Sequence, residues 1–265
     1  MITDSHCHLA SKQFKDDLNE IVESANRSQI SRLITIGTDL DDSKTCIKIA
    51  NSFNSVYATV GIHPCSVTEI IQDDWLQELK NLVESNKVAA IGEIGLDFFH
   101  PAPSGWDEDS YRNRQKYFFV KQLELAAEMN LNVVIHQRDK TEECWEEIKK
   151  IIKPFSNKLR AVFHCFTHSW ESAKTLISDG HLISFTGVVT FKNADTIQKC
   201  ATQCPEDSFM LETDSPYLAP VPFRGKRCEP IHVKETANFI ADLRGVSLEN
   251  LAESTSKNAD FFFEF

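Results

Sequence analysis

In Asp4-Ser5-His6-Cys7-His8, two imidazoles stand two residues apart, directly after the short apolar run Met1-Ile2. If that run is a β-strand, residues i and i+2 share a side, so His6 and His8 project together. Neutral imidazoles converging from one side are donors that a Zn-, Mn- or Fe-like divalent ion recruits. A lone His-x-His pair is equally served by one packed and one solvated ring, so recurrence has to decide. Five more apolar runs end in groups of the same kind: Gly61-Ile62-His63, Gly92-Glu93, Val134-Ile135-His136, Phe163-His164 and Leu211-Glu212-Thr213-Asp214.

The elements that must hold these groups are eight short runs rich in β-branched or aromatic residues. They are Met1–Thr3, Leu33–Gly37, Val56–Gly61, Val88–Gly92, Val133–His136, Ala161–His164, Leu182–Phe185 and Phe209–Glu212. Nearly continuous apolar runs suit strands buried on both faces, as in a parallel sheet. Amphipathic helical patterns separate them: Leu18–Ala25, Ser43–Ala50, Trp75–Val83, Tyr117–Met129, Cys144–Ile152, Ala173–Ile177 and Asp195–Cys200. The alternation predicts a (β/α)₈ TIM barrel with right-handed crossovers. Two or three extra C-terminal helices follow, at Val233–Leu243, Leu248–Ser254 and the Phe-rich tail. No linker, repeat or low-complexity segment interrupts the pattern, which predicts one domain over residues 1–265. Barrel chemistry gathers at the carboxyl ends of the strands. His6, His8, His136, His164, Glu93 and Asp214 are therefore expected at one mouth.

Composition narrows the class. The net charge of −11 argues against a protein that coats nucleic acid, which presents a basic face. It leaves room for an enzyme that takes a phosphodiester at cations, which reverse the local sign. No apolar run reaches the roughly 18 residues of a membrane span. Met1 leads straight into the candidate site, so the reading is no leader and a cytoplasmic location. The 8 cysteines are scattered through apolar segments, which suits reduced thiols better than disulfides. Strand alternation would turn Cys7 and Cys165 away from any metal.

Together, Asp4-Ser5-His6-Cys7-His8, Gly61-Ile62-His63-Pro64, Gly92-Glu93-Ile94-Gly95-Leu96-Asp97, His136-x-Arg138, His164-Cys165-Phe166 and Glu212-Thr213-Asp214-Ser215-Pro216-Tyr217 resemble the TatD family of metal-dependent deoxyribonucleases, within the amidohydrolase-like barrels. The resemblance spans essentially the whole chain. It implies two divalent ions, with Mg²⁺ the family's metal and Zn²⁺ or Mn²⁺ compatible with the donors. In that arrangement His6, His8 and Asp214 hold one ion, His136 and His164 hold the other, and Glu93 bridges them. It also implies 3′→5′ exonuclease action on single-stranded DNA. Two places depart from the family pattern. The segment His100–Asp109 is long, and Phe223 and Cys228 replace a histidine and an asparagine after the eighth strand, so polar contacts from those two positions do not carry over.

Roles follow from residue type. Asp214 is the candidate to orient and deprotonate a water, and Glu93 shares the catalytic assignment as the bridge that the resemblance implies. Glu212 either supports the ligands from behind or offers a weaker third metal site. His63 either touches a substrate phosphate or packs in its loop, and Arg138 pairs with a carboxylate or a phosphate oxygen. Arg224, Lys226 and Arg227 form a basic cluster after the eighth strand, where barrels often bind phosphate, although a solvated face is the default for such a cluster. Trp106 and Phe223 could stack on a base or pack. His100, His168, His181 and His232 have no evident converging partner. The substrate is read as DNA, with no membrane and no obligate protein partner. The competing readings are a same-scaffold hydrolase of an amide, ester or lactone, including aminoacyl-tRNA deacylation, and a metal-dependent scaffold protein with little turnover.

Overall fold

In the computed structural model, which describes residues 1–265, the apolar runs form eight strands. They are β1 (Ile2–Cys7), β2 (Ile30–Thr35), β3 (Val56–Val60), β4 (Val88–Asp97), β5 (Val133–Arg138), β6 (Ala161–Phe163), β7 (Leu182–Phe185) and β8 (Phe209–Leu211). Each pairs in parallel with the next, in sequence order. Backbone bonds just past the strands bring β8 back to β1: Asp214 N–H donates to the His6 carbonyl at 2.9 Å and His8 N–H to the Ser215 carbonyl at 2.7 Å. The result is the (β/α)₈ barrel that the alternation predicts.

The helices are α1 (Leu18–Arg27), α2 (Leu40–Ser52), α3 (Trp75–Val83), α4 (Glu108–Met129), α5 (Glu143–Ile152), α6 (Trp170–Ser178), α7 (Asp195–Gln203), α8 (Val233–Arg244) and α9 (Leu248–Phe263). None is long and apolar enough to cross a membrane. α4 begins well before Tyr117, because Asp107 caps it through Ser110 N–H and Glu108 and Asp109 favour the positive end of the helix. Its first turns are polar and so hide the apolar period. The Phe-rich tail is the last turn of α9 rather than a further helix. Phe262 and Phe263 pack with Ile34, Ala89, Val134, Val162, Leu182 and Met210, drawn from six strands. Burying each ring is worth about 1.5–3 kcal/mol, which anchors α9 to the barrel.

The ends of β4, β5 and β8 differ from the sequence reading in ways that bear on the site. β4 runs past Glu93 to Asp97, and its pairing with β5 is irregular between Ile91 and Ile94. Glu93 therefore lies inside a strand, where a bulge re-aims its side chain. Gly95 permits the close pairing beyond, since a Cβ there would meet the His136 carbonyl oxygen at 2.1 Å and its φ is +141°. β5 likewise continues through His136 to Arg138. β8 stops at Leu211, and Asp214 has a φ of 57°. Strand alternation thus does not relate Glu212 to Asp214.

Candidate metal centre

Glu93 is the hub of the cluster. Its Oε1 lies 2.8 Å from His136 Nδ1 and 2.7 Å from His164 Nε2. Its Oε2 lies 3.5 Å from His6 Nε2 and 4.0 Å from His8 Nε2. Asp214 Oδ1 closes the second set, 3.2 Å from His8 Nε2 and 3.6 Å from His6 Nε2. The two carboxylate oxygens thus face two sets of imidazoles, His6 and His8 from β1 and its end on Oε2, and His136 and His164 from β5 and the end of β6 on Oε1, where His63 Nε2 also lies 3.7 Å away.

Behind these groups stand carboxylates that orient the rings. Glu212, fully buried, accepts the Cys165 backbone N–H and faces His6 Nδ1 at 3.5 Å and His164 Nδ1 at 3.7 Å. Both nitrogens and Glu212 Oε2 lack a hydrogen-bond partner although they are buried. Asp97 Oδ2 lies 3.1 Å from His136 Nε2, which leaves Nδ1 of that ring to face Glu93. A carboxylate on the far nitrogen of an imidazole is the usual way of fixing the ring and tautomer of a metal ligand. Asp97 was assigned no role from the sequence. Strand alternation gives no signal for it, because Glu93 lies in the irregular stretch of β4 and only Gly95 and Asp97 belong to the regularly paired part. Deeper still, Asp4 accepts from Thr213 N–H at 2.9 Å and Thr213 Oγ at 2.7 Å, tying β1 to the end of β8. Burial pushes its carboxyl up to about 8.

The electrostatics match this geometry. Burial opposes ionisation of Glu93, yet His164, His63 and His136 outweigh it and hold the carboxyl well below its usual range. Burial likewise works against a charged His164, but Glu93 and Glu212 carry its affinity for a proton well above normal. His8 beside Asp214, and His136 between Asp97 and Glu93, are raised against the same burial. His6 is lowered by burial and by His164. Carboxyls held low beside imidazoles held high put the protons on His8, His136 and His164, facing ionised carboxylates. Cations fit where such protons sit, because ligands release protons on binding metal. The buried unpaired nitrogens aimed at Glu212 and the mixed imidazole–carboxylate donor set therefore suit divalent ions. Ligand atoms of His6, His8 and Glu93 lie within 4.8 Å of one another, as do those of His63, Glu93 and His136 and those of His6, His164 and Glu212.

The cluster opens into a cleft of about 820 Å³. His63, at the cleft wall, accepts the Cys65 backbone N–H at Nδ1 over 3.1 Å. Its neutral ring therefore carries its proton on Nε2, which faces Glu93 Oε1 at 3.7 Å. Burial and His136 hold its pKa down to about 3. It is a neutral donor aimed into the cleft. Arg138 lines the same cleft, its guanidinium over the Phe99 ring at 4.4 Å. Arg224 and Lys226 are exposed and lie outside the cleft lining, with Arg224 stacked on Phe191 at 4.2 Å. Arg227 leaves the expected basic cluster altogether, because it pairs with Asp17 and Glu229.

Other expectations are corrected as well. Cys165 lines the cleft rather than turning away, since β6 ends at Phe163 and Cys165 has a φ of 45°. His100 does have converging partners, Asp97 and Cys65. Of the two aromatics considered for stacking, Phe223 is covered by His232 at 4.2 Å and Trp106 faces Arg114 at 5.5 Å. Tyr217, 53% exposed at the cleft and edge-on to His8, is an aromatic ring there with a free face.

The chain is similar to known metal-dependent hydrolases. YabD of Bacillus subtilis (strain 168), an uncharacterized metal-dependent hydrolase, is 36% identical over 263 residues, 99% of each chain. YcfH of Escherichia coli (strain K12), also an uncharacterized metal-dependent hydrolase, is 30% identical over 260 residues, 97% of this chain and 93% of its own. The crystal structure of YJJV, a TatD homolog from Escherichia coli K12, superposes with a TM-score of 0.89 at 24% identity, over 100% of this chain and 98% of that one. The model of the TatD related DNase family matches residues 3–264, and the chain belongs to that family.

Proposed function

We propose that the protein is a divalent-metal-dependent hydrolase whose substrate is DNA, cut at phosphodiester bonds as a 3′→5′ exonuclease on single strands. The observation that carries the hydrolase reading is the two-sided use of Glu93, with His6 and His8 on one carboxylate oxygen and His136 and His164 on the other. Family membership supports DNA as the substrate. His6, His8 and Asp214 would hold one ion, and His136 and His164 the other, with Glu93 between them. Bound there, the ions supply the charge that acidifies a water and offsets a scissile phosphate.

The protein's own groups then have distinct tasks. Asp214, at the rim of the His8 side, orients the attacking water and takes its proton. His63 Nε2–H donates to a substrate oxygen and stays neutral while doing so. Arg138, the one arginine or lysine in the cleft lining, pairs with a phosphate oxygen next to the scissile one. Tyr217 offers a face on which an unpaired base stacks. Arg224 and Lys226, outside the cleft, hold phosphates further along the strand.

The test is digestion of end-labelled single-stranded DNA by chelator-treated protein with Mg²⁺, Mn²⁺ or Zn²⁺ restored in turn. An aminoacyl ester, an amide and a lactone are run in parallel. The expected result is metal-restored release of 3′-terminal nucleotides. Replacing Arg224 and Lys226 together with Ala should raise KM for DNA, flatten its salt dependence and spare a small phosphodiester. Turnover of the ester, amide or lactone with DNA left intact would overturn the nuclease reading.

A further inference from the structure

Outside the centre built on Glu93, a second cluster of metal-ligating side chains lies on the β3–β4 side of the same cleft. Cys65 follows β3 in the short turn Pro64–Ser66, Asp97 ends β4, and His100 follows three residues later. Cys65 Sγ lies 3.9 Å from His100 Nδ1, and His100 Nδ1 lies 2.8 Å from Asp97 Oδ2. One ligand atom from each of the three falls within 4.8 Å of the other two. We propose that Cys65, Asp97 and His100 form a further cation site, suited to Zn²⁺ or a similarly thiophilic divalent ion, with an open position toward the cleft.

The distances are close to what such an ion requires. Zn–S of about 2.3 Å and Zn–N of about 2.0–2.1 Å at a tetrahedral angle put sulfur and nitrogen about 3.5 Å apart, and nitrogen and oxygen about 3.4 Å apart. From 3.9 Å, Sγ and Nδ1 close by about 0.4 Å, and from 2.8 Å, Nδ1 and Oδ2 open by about 0.6 Å. The carboxylate is already aimed. Asp97 Oδ1 accepts the backbone N–H groups of Phe99 and His100 at 3.0 and 2.9 Å, which turns Oδ2 toward the imidazole.

Packing does not account for the other two residues. Six of the eight thiols are buried, whereas Cys65 and Cys165 are not. The His100 side chain is 48% exposed and lines the cleft. Three protein ligands with one side open is the pattern of a cation that also takes water or a substrate oxygen. On binding, the thiol proton goes to solvent and the imidazole proton moves from Nδ1 to the outward Nε2, so one proton is released per ion. Asp97 would then touch two centres, because its Oδ2 also holds His136 Nε2. The ion would add positive charge on a wall that otherwise carries Arg138 alone.

The experiment is titration of the chelator-treated full chain with Co²⁺, followed in the near ultraviolet for a thiolate-to-cobalt charge-transfer band. Zinc per chain is counted by mass spectrometry after equilibration and desalting. The wild type should show the band. Cys65→Ser and His100→Ala should each bind one ion fewer per chain, with the band abolished in Cys65→Ser and kept in Cys165→Ser. A wild type without the band at saturating Co²⁺ would overturn the site whatever the variants do. So would a band that survives Cys65→Ser and is lost in Cys165→Ser. Because the reading is a difference of one ion at a thiol, failure of the nuclease proposal leaves it standing.

Discussion

Glu212 carries the most specific consequence of the geometry, and Glu212→Gln isolates it. The amide oxygen still accepts the Cys165 backbone N–H, so the change is nearly isosteric. The amide N–H₂ takes the place of Oε2, which faces His6 Nδ1 at 3.5 Å. That nitrogen must then accept, and the ring proton moves to Nε2, the atom that faces Glu93 and Asp214. To bind a cation, His6 has to return the proton to Nδ1 against the amide, leaving one buried donor unpaired. Such a loss costs about 1–3 kcal/mol. At about 1.4 kcal/mol per decade, affinity should fall by roughly 10–100-fold, the range found when groups behind metal ligands are changed. The assay is competition against a chromophoric chelator, with the Tm of the chelated protein as a control on folding. If Glu212 were itself a ligand, the variant would bind one ion fewer rather than the same number more weakly. Unchanged affinity at an unchanged Tm would refute the orienting role.

Other outcomes separate holding a metal from using it, and packing from pH. Glu93→Ala should release metal from both sides of the cluster, whereas Asp214→Asn should retain most metal and lose about 10²–10⁴-fold in kcat, read by metal analysis beside turnover. Asparagine tolerates the φ of 57° at that position, so a rate within a few-fold of wild type would point to another proton acceptor. His181, away from the cleft, accepts the Ala161 N–H at Nδ1, and burial lowers its pKa to about 4. Its folded pKa lies below the unfolded value, so its neutral form is without penalty above about pH 6.5. Stability is then lost as pH falls from about 6.5 toward 4, because only the unfolded chain takes the proton. Between pH 7.5 and 5 the wild type should lose about 2 kcal/mol more than His181→Asn, measured by denaturant unfolding of chelated protein. Parallel pH curves for the two would contradict the burial argument.

The barrel and most of the donor set were legible without coordinates. Eight apolar runs with helical patterns between them leave few alternatives, because strands buried on both faces need helices to cover them. A histidine or acid at the end of such a run stands out from its neighbours, which is how His6, His8, His136, His164, Glu93 and Asp214 could be named together. What stayed hidden depends on departures from regular strands. Period two holds only while pairing is regular, so the irregular stretch of β4 that aims Glu93, and the early end of β8 that separates Glu212 from Asp214, left no mark in the pattern. Asp97 was visible as a letter and invisible as a partner, because its role required β4 to continue five residues past Gly92. Charge pairing is likewise a tertiary matter. Arg227 reads as one of three neighbouring cations, and only the fold sets it against Asp17, 210 residues away in the chain. Cys65, Asp97 and His100 meet because β3 and β4 lie side by side and the loop after β4 turns back over their ends. Residue type settled which chemistry was available, and the packing of adjacent strand ends decided which of those groups can act together.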